Sequence, residues 1–585
     1  MAETLGATLA VVAFADQCLK YGNKFVKRCK SYLHAEEEAV ELLVSIEVNW
    51  LKMETQIGIL KRVAAAGQLS NALQTMQSQV LSQLEGKLKT ASLIIEQLMT
   101  EKREEEKVRA KSDPKDLKRK HDDRDITAGI KEFGGMRVNS KLKYVCKKKA
   151  LLEIVQEIEK WQARYDPTWI LIMQMSSKNI DDELEQQEKK PKRKQIPIII
   201  AAKGIRDAAR ASQDMKVRDQ GTVWISIDDI DLIPTPIPHS SVEISQLDDE
   251  KSMVLIDTMV SNPSANVNST TKEVRNLARI LAEVDPSTFG LLKCRGVIRV
   301  PNYELLSRLG TVPDPKSPSI YRLPVFKFIF EVPAQLSNPQ SLRAVLLSGK
   351  VYPLDERLEL AKKLASSVLF VHTVQFVHKN IRPETIVVFE NENSSIGAPY
   401  LAGFEKFRFE DGNTFLAGDA LWDHNLYRHP SRQGTRPGMH YQMQHDIYSL
   451  GVVLLEIGLW TSFASPGTET SSMIPSLVLG PANPDSVKLP LGTPTQLKAH
   501  LEALAKNELP SRLGKRYTEI VLLCLQCLDQ NIQNEDESGN EKDGRGSGFG
   551  VGVGGEDEEI VDEDGVVIGV RYIENVLQKM LEITV

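Results

Sequence analysis

The chain has 585 residues, of which 41% are hydrophobic and 26% are charged, so its composition is that of a globular protein with room for about two to four domains. The formal net charge of −6 excludes a general affinity for nucleic acid, and no nucleic-acid partner is predicted. The six cysteines are sparse and unpatterned, which excludes a disulfide scaffold and indicates a reducing compartment.

The sequence pattern contains no targeting or membrane-spanning signal. No apolar run approaches the roughly 18 residues that span a bilayer. The apolar stretch 5–14 lacks the basic flank and the cleavage site of a signal peptide. We therefore expect an intracellular, cytoplasmic protein.

Residues 1–178 carry apolar residues at three- and four-residue steps, which is the spacing of one helix face. The three stripes are Leu43, Ile46, Trp50, Met53, Ile57 and Leu60; Leu69, Leu73, Met76, Val80, Leu84, Leu88, Ala91, Ile95 and Leu98; and Leu151, Ile154, Ile158 and Trp161. Residues near Gly67 predict a short turn, and the charged stretch 101–125 predicts a mobile loop or a solvated helix extension. Each striped helix hides its apolar face only against the others, so the pattern predicts an all-α helical bundle.

Several short patterns accompany these stripes. They are the apolar N-terminus, Asp16-Gln-Cys-Leu-Lys-Tyr-Gly22, Glu47-x-x-Trp50, and the ending Trp161-Gln-Ala-Arg-Tyr165-Asp166-Pro167-Thr168-Trp169. Together with the helix order, they make residues 1–175 resemble the fungal HeLo (prion-inhibition and propagation) domain family. The resemblance implies that the N-terminal helix is the membrane-directed element of a cell-death or heterokaryon-incompatibility effector.

Residues 179–215 are interpreted as a charged linker, because an acidic cluster passes into a basic one there. Within this range, Lys189–Lys194 has the form of a nuclear localisation patch. A solvated hinge is the simpler interpretation of the same residues. A domain boundary is predicted here in either case.

Short β-like runs begin near residue 216. They are Thr222–Ile227, Ser241–Ile244, Met253–Met259, Gly296–Val300 and Val325–Glu331, interrupted by one helix near Thr271–Glu283. This order resembles the small lobe of a protein kinase, over residues 216–333. The resemblance places the nucleotide-binding lysine near Asp257, which is acidic, and its partner glutamate at Glu273 or Glu283. No glycine-rich phosphate loop precedes Ser241.

A long predicted helix, Leu354–His372, leads into the most informative stretch of the chain. This stretch reads Val377-His-Lys-Asn-Ile-Arg-Pro-Glu-Thr385 and, after a polar loop, Gly403-Phe404-Glu405. It resembles the catalytic loop and the metal-binding turn of a protein kinase. The resemblance lays the catalytic-loop pattern over His378, Lys379, Asn380 and Thr385, with Pro383 and Glu384 in the spacer, and lays the metal-binding Asp-Phe-Gly over Gly403, Phe404 and Glu405.

The shape of this motif is retained and its chemistry is not. Phosphoryl transfer needs a carboxylate to accept a proton and oxygen ligands to hold magnesium. Asn380 has no proton-accepting carboxylate, Thr385 is a weak ligand, and Gly403 offers no side chain. We therefore predict a pseudokinase without a metal site. No cofactor is predicted, and ATP binding is left open.

Downstream motifs predict structural roles. Tyr427-Arg-His-Pro430 resembles the end of an activation segment, with Ser431 in place of the usual glutamate. Asp446-x-x-Ser449-x-Gly451 matches the start of a large-lobe helix, in which the resemblance lets the aspartate hydrogen-bond the catalytic-loop backbone. His378 is likewise expected to hydrogen-bond backbone.

The remaining residues complete a kinase-like domain over 216–585, with a large lobe over 334–585. Ile520–Leu528 and Arg571–Ile583 are predicted late helices. Residues 531–565 are acidic and glycine-rich, which is typical of a disordered insertion. The predicted fold is therefore multidomain, with an α-helical bundle followed by an α+β, bilobal, kinase-like domain.

Three further signals are given structural interpretations. The glycines of 550–555 satisfy a GxGxxG template but have no strand-to-helix context. Cys524 and Cys527 lie on an apolar helical run without the second ligand pair that zinc requires, so burial is expected. The histidines 424, 429, 440 and 445 have no regular ligand spacing.

Three functions remain open. The first is an effector in which a pseudokinase regulates a membrane-active bundle, an order similar to that of mixed-lineage kinase domain-like proteins. Its partners are further copies of the chain and an anionic membrane, approached through the basic residues of the first helix, which are Lys20, Lys24, Lys27, Arg28 and Lys30. The protein would then be recruited to the plasma membrane.

The second function is a divergent kinase that recruits Glu384, Glu405 or Asp411 to replace the missing metal ligands. The third is a non-enzymatic interaction scaffold with no membrane role. The sequence names no upstream activator.

Overall fold

The computed structural model describes residues 2–33, 40–67, 69, 71–111, 153, 156, 161, 165–166, 169, 172, 178–189, 196–213, 223–227, 233–247, 252–261, 266–301, 324–392, 394–404, 407–409, 418–467, 473–479, 492–529 and 566–583. These residues divide into two compact units, one that ends at Glu183 and one that begins at Leu184.

The first unit is built on three long helices. They are α1 (Ala2–Leu33), α2 (Val40–Ala65) and α3 (Asn71–Lys111). Ion pairs from Asp16 to Lys61 and from Lys30 to Glu47 show that α1 and α2 run antiparallel. Gly67, with a φ of 70°, follows α2 at the predicted turn. Helix α3 includes 101–111, so the first part of the charged stretch 101–125 is a helix extension, and the rest lies outside the described residues.

The predicted stripes form the core of this unit. Fully or nearly fully buried side chains on the three helices include Val11, Ala15, Cys18, Phe25, Ile46, Trp50, Met53, Ile57, Leu60, Leu73, Met76, Leu84, Leu88 and Ile95. Trp161, Tyr165 and Trp169 are helical and buried as well. Leu151, Ile154 and Ile158 of the third stripe lie outside the described residues. The prediction of a helical region is confirmed.

The range predicted as a charged linker contains two helices. They are α4 (Lys178–Glu188) and α5 (Pro197–Gln213). Ile199, Ala202 and Ile205 of α5 are buried, and Gly204 of this helix lies against the side chain of Glu283. Part of the predicted linker, 197–213, is therefore helical, because the apolar residues after Pro197 form a helix face. The patch Lys189–Lys194 lies almost entirely outside the described residues.

The second unit opens with a six-stranded sheet. Its strands are β1 (Trp224–Ile225), β2 (Thr235–Pro236), β3 (Glu243–Gln246), β4 (Met253–Val260), β5 (Lys293–Pro301) and β6 (Pro324–Glu331). The order across the sheet is β1-β5-β6-β4-β3-β2. Only the β1–β5 pair is parallel among these strands. Each predicted β-like run overlaps one of the strands, so these predictions are confirmed.

One long helix lies in the chain between β4 and β5, as predicted. Helix α6 (Val267–Leu281) begins at Asn266, whose side chain accepts hydrogen bonds from the N–H groups of Asn268 and Ser269. The short helix α7 (Pro286–Phe289) follows it. The structure thus reproduces the predicted sequence of strands, one helix and further strands.

The remainder of the unit is mostly helical. Its helices are α8 (Leu342–Leu347), α9 (Leu354–Thr373), α10 (Trp422–Asn425), α11 (Met443–Leu459), α12 (Pro494–Leu525), α13 (Val566–Tyr572) and α14 (Lys579–Leu581). A π-helical segment, Ile573–Gln578, joins the last two. Its strands are β7 (Ser337–Ser341), β8 (Phe376–Val377), β9 (Ile386–Asn391), β10 (Ser394–Leu401), β11 (Arg408–Phe409), β12 (Ala464–Pro466) and β13 (Met473–Pro475).

Helix α11 is the centre of this part, because every one of its residues is buried. A Cβ atom placed on Gly451 would lie 2.8 Å from Cβ of Cys524 on α12, so glycine permits the close approach of the two helices. Cys524 and Cys527 are buried, as predicted. The backbone is bent within α12 at Gly514, whose φ is 80°.

Candidate functional site

The loop between β8 and β9 is held by one buried carboxylate at the start of α11. Asp446 accepts hydrogen bonds from the backbone N–H of His378 at 2.7 Å, from that of Lys379 at 2.9 Å, and from the Tyr441 hydroxyl at 2.7 Å. His372 Nε2 lies 3.1 Å from the same carboxylate. This is the contact that the sequence predicted for Asp446.

The same partners set the ionisation of Asp446. Burial by itself raises the pKa of this carboxyl, but the hydrogen bond and charge of His372 outweigh burial and hold the pKa below its ordinary value. Asp446 is therefore an anion with donors on several sides. It fixes the path of the loop backbone.

His378 interacts through its backbone and its ring face. Its N–H is the donor to Asp446, and its ring lies 4.9 Å from the ring of Phe404, centroid to centroid. Burial lowers the pKa of His378 from 6.5 to about 4, so the imidazole is neutral at physiological pH. This bond runs from the main chain of His378 to a side chain, so it is not the bond from the imidazole to backbone that was expected. Lys379, the next residue, has a φ of 66°, an uncommon conformation for a side chain of this size.

Asn380, the residue at the position of the catalytic base, forms hydrogen bonds through both the nitrogen and the oxygen of its side-chain amide. Asn380 Nδ2 donates to the carbonyl of Gly403 at 3.2 Å, and Arg382 Nε donates to Asn380 Oδ1 at 3.0 Å. An amide in this position cannot accept a proton from a substrate hydroxyl at neutral pH. Asn380 therefore ties the loop to the turn at Gly403 and supplies no base.

At the two predicted metal positions, the side chain of Thr385 occupies the space beside Gly403. Thr385 Oγ1 lies 2.7 Å from the carbonyl of Asn380 and 2.9 Å from that of Arg382, so its hydroxyl serves the loop backbone. Gly403 has a φ of 81°, and a Cβ atom placed on it would overlap Cγ2 of Thr385. Two carbon atoms cannot occupy this space unless one of them is displaced. A side chain at residue 403 therefore requires Thr385 to move.

A buried carboxylate faces this turn from the six-stranded sheet. Asp257 of β4 is 1% exposed, and its Oδ2 accepts a hydrogen bond from the backbone N–H of Phe404 at 2.6 Å. Phe404 is also buried, with its ring 6.0 Å from that of Phe330. Asp257 is the residue that the resemblance placed near the nucleotide-binding lysine. Glu405 lies outside the described residues.

Comparisons with known proteins find kinases and a pseudokinase. No family model matches the chain. The chain is 27% identical to a probable serine/threonine-protein kinase of Dictyostelium discoideum over 165 residues, which are 28% of this chain and 9% of that protein. It is 27% identical to the eIF-2-alpha kinase GCN2 of Schizosaccharomyces pombe over 113 residues, 18% of this chain and 7% of that kinase. It is 30% identical to the non-functional pseudokinase ZED1 of Arabidopsis thaliana over 142 residues, 22% of this chain and 38% of that protein.

The chain contains a kinase-like domain. Each similarity covers a minor part of both proteins, and the chain spans well under two thirds of the length of these relatives. The comparisons pair the chain with kinases and with a pseudokinase alike. Whether this domain can transfer phosphate must therefore be inferred from the residues of its own site.

Glu384 of the kinase-like domain belongs to a buried polar cluster. Arg343 donates to Glu384 Oε1 at 3.0 Å and to Glu456 Oε1 at 2.8 Å, and it also bonds the hydroxyl of Tyr427. Burial raises the pKa of Glu384, but the charges of Arg343 and Arg382 outweigh burial and lower it. Nothing in the sequence pattern pointed to Arg343, since its partners lie between 41 and 119 residues away.

The other predicted structural residues occupy turns and helix contacts. Pro383 and Pro430 each open a 3₁₀ turn, where their missing N–H is no loss. Ser449 bonds the carbonyl of His445 within α11. Ser431 lies 2.8 Å from His429 Nδ1 and 3.2 Å from His445 Nε2.

Two further kinds of site, for a metal ion and for a membrane span, are not found in the described residues. Across this part of the chain, no cluster of three or more His, Cys, Asp or Glu residues could hold a metal ion. Among the described helices, none combines the length and the apolar composition that crossing a bilayer requires.

Proposed function

We propose that the kinase-like domain does not transfer phosphate, and that it regulates an N-terminal helical bundle in a cell-death or incompatibility type of effector that acts at anionic membranes. The observation that carries the first half is the packing of Thr385 against Gly403. A metal-binding carboxylate needs a Cβ atom at residue 403, and Thr385 occupies its place.

The nucleotide side of the site supports the same conclusion. A kinase uses a lysine there to pair with the phosphates, whereas Asp257 presents a buried carboxylate that is bonded to the Phe404 N–H. A carboxyl group at this position cannot pair with phosphate oxygens in the way that a lysine does. The site therefore lacks a cation and a proton acceptor at the positions where a kinase has them.

The alternative of a divergent kinase has less support. Of the three acids that could replace the metal ligands, Glu384 is held by Arg343 and Arg382 and is 9% exposed. Glu405 and Asp411 lie outside the described residues. The one replacement acid that the structure describes is committed to a structural ion pair.

The bundle half of the proposal rests on the resemblance to HeLo domains. Several residues that carried it meet in the structure: the indole N–H of Trp50 donates to Asn23 Oδ1 at 2.8 Å, and the ring of Trp50 packs directly on Gly22. Asp166 accepts from Lys52 at 2.6 Å and from Gln56 at 3.0 Å. The motif residues thus serve the packing of one helical unit.

The first helix offers a surface for an anionic membrane. Lys20, Lys24 and Lys27 are exposed and lie along one face of α1 at four- and three-residue steps. Arg28, by contrast, bonds Ser92 and Glu96, and Lys30 pairs with Glu47. The basic surface therefore consists of the three lysines, and Arg28 serves the bundle.

Phosphate transfer is tested with the purified full chain. We expect no magnesium-dependent thermal shift with ATP and no transfer of radiolabel from ATP to a generic protein substrate, whereas an active kinase run in parallel shows both. Metal-dependent binding with transfer would overturn the proposal. Nucleotide binding without transfer would make the domain a nucleotide-sensing pseudokinase.

Membrane association is tested by sedimenting the full chain with liposomes of phosphatidylcholine with and without phosphatidylserine. Each basic residue near an anionic surface contributes about 1 kcal/mol. Replacing Lys20, Lys24 and Lys27 by Glu removes three such contributions and adds repulsion, so it should weaken binding by at least about a hundredfold. The charge-matched control replaces the exposed Lys272, Lys350 and Lys515 by Glu. Equal weakening in both variants, or no binding by the parent chain, would favour the scaffold function.

A further inference from the structure

The turn that joins β2 to β3 lies directly on the catalytic-like loop. In protein kinases a glycine-rich loop covers the phosphates of the nucleotide. Here the first hairpin of the sheet turns through Ile237-Pro-His-Ser-Ser-Val242, which contains no glycine. We call residues 237–242 the lid.

Two serine hydroxyls connect the lid to residues that are distant in sequence. Ser240 Oγ donates to the carbonyl of Glu384 at 2.6 Å, in the 3₁₀ turn that closes the catalytic-like loop. Ser341 Oγ donates to the carbonyl of Pro238 at 2.7 Å. Ser341 also caps α8 by accepting from the N–H of Ala344. The lid is therefore bound on one side to the loop and on the other to a helix N-terminus.

The lid has a defined internal structure. Its ends, Ile237 and Val242, are 3% and 1% exposed, and the N–H of Ser240 donates to the carbonyl of Ile237 at 3.1 Å. His239 at its tip has a φ of 53°, a conformation that favours glycine. Pro238, His239 and Ser241 are exposed, so the lid is held by its buried ends and by its hydrogen bonds. The turn is not a free hairpin end.

The buried bond of Asp257 to Phe404 joins the same two parts of the chain. The sheet that carries the lid is thus attached to the catalytic-like loop and its following turn at two separate places, at Ser240 and at Asp257. These are bonds within the protein in the region where an active kinase holds its nucleotide.

We propose that the lid is a closing device, held by Ser240 and Ser341, whose release is the conformational change available to this domain. The proposal rests on the absence of phosphate transfer argued above, because a working kinase would need this region for ATP. Two bonds between neutral hydroxyl and carbonyl groups are at the weak end of hydrogen-bond strength. The lid therefore opens far more easily than the buried core unfolds.

Hydrogen–deuterium exchange of the full chain tests the lid. We expect the Ser240→Ala and Ser341→Ala double variant to exchange the amides of Ile237 and Ser240 about tenfold faster than the parent chain, while residues 443–459 of α11 stay protected. Ser341→Ala alone should accelerate exchange in the lid, although residue 341 is 103 residues from Pro238. Ser241→Ala is the matched control, because Ser241 is exposed and adjacent.

Unchanged exchange of the lid amides in the double variant overturns the proposal. If the double variant unfolds, α11 loses protection from exchange as well. The His239→Gly variant is then used in place of the double variant. Glycine relieves the positive φ, so this variant should slow exchange of the lid amides, and faster or unchanged exchange would count against a closed lid. Each variant is also incubated with labelled ATP and magnesium. Phosphate transfer that arises only in the variants whose lid is released would refute the proposed absence of catalysis. It would still support the proposal that the lid closes this region.

Discussion

The two ends of the catalytic-like loop differ in what they have retained. At its start, Asp446 is a buried carboxylate that receives the N–H groups of His378 and Lys379. At its end, Thr385 and Gly403 occupy the positions of metal ligands and pack against each other without any carboxylate. The loop shape is thus maintained by residues that take no part in phosphate transfer.

The difference has a simple energetic reason. Buried backbone N–H groups must be paired whether or not the protein is an enzyme, and leaving one unpaired costs about 1–3 kcal/mol. A metal-binding carboxylate without its metal is, in contrast, a buried charge that destabilises the fold. A domain that does not transfer phosphate, as we propose for this one, needs the first kind of residue and not the second.

The largest effect is expected from Asp446→Ala. This change leaves two backbone N–H groups and the Tyr441 hydroxyl without their acceptor, so we expect the free energy of unfolding of the kinase-like domain to fall by about 3–5 kcal/mol. Urea titration followed by hydrogen exchange of residues 376–385 measures it. Asp355→Ala, which removes an exposed carboxylate in the first turn of α9, should cost less than about 1 kcal/mol. Equal losses in the two variants would contradict the role of Asp446.

The second effect is a dependence of stability on pH. The pKa of His378 is about 4 in the folded chain because the ring is buried, against 6.5 in its ordinary state. Between these values the unfolded chain binds a proton that the folded chain rejects, so stability is complete above pH 6.5 and falls by about 1.4 kcal/mol per pH unit down to pH 4. Burial lowers the pKa of His429 and His445 as well, which adds to the same trend.

The contribution of His378 is isolated with His378→Phe, which keeps an aromatic ring against Phe404 and cannot titrate. Urea titrations at pH 7, 6 and 5 should give a shallower pH slope for this variant than for the parent chain. An unchanged slope would show that the imidazole is not held neutral by burial.

The third effect measures the packing at the metal positions. Gly403→Ala introduces a Cβ atom against Thr385 in a backbone conformation with positive φ, so we expect a loss of about 2–3 kcal/mol of stability. Thr385→Ser removes the Cγ2 methyl that the introduced Cβ atom would strike. The double variant should therefore recover about 1 kcal/mol relative to the sum of the single changes. Strict additivity would mean that the two residues do not share the space.

The smallest effect extends the comparison to the bundle, where a glycine is required by packing alone. A Cβ atom on Gly22 would overlap the ring of Trp50, so Gly22→Ala should cost about 1–2 kcal/mol, measured by thermal unfolding of the full chain. Gly86 in α3 is the matched control, because a Cβ atom there meets nothing within 4 Å. Gly86→Ala should stabilise the helix by up to about 1 kcal/mol. Destabilisation by both changes would assign the effect to the helices and not to the Trp50 contact.

Patterns that repeat along the chain were predicted well. The apolar steps from Leu43 to Leu60 form the buried face of α2, and the run from Val325 to Glu331 is strand β6. The predicted helix at Asp446 lies within α11. These predictions succeed because helix and strand periodicity is a property of neighbouring residues.

Contacts between distant residues were missed. Arg343 gave no signal, because its partners Glu384 and Glu456 are brought to it only by the fold. Helix α5 was predicted as linker, since its charged neighbours masked the apolar run that begins at Pro197. The role of Ser240 was also invisible, because a hydroxyl in a turn is ordinary until its acceptor is known.

The sequence by itself determined which chemical groups this protein lacks. Asn380, Thr385 and Gly403 carry no carboxylate in any fold, because the amino-acid type alone decides which groups a side chain has. Only the tertiary structure decided that a side chain at residue 403 would displace its neighbour, because Thr385 fills the space beside Gly403 and Asp257 binds the next backbone N–H. Side-chain chemistry is local to each residue, whereas the space around a residue is set by parts of the chain that only folding brings together.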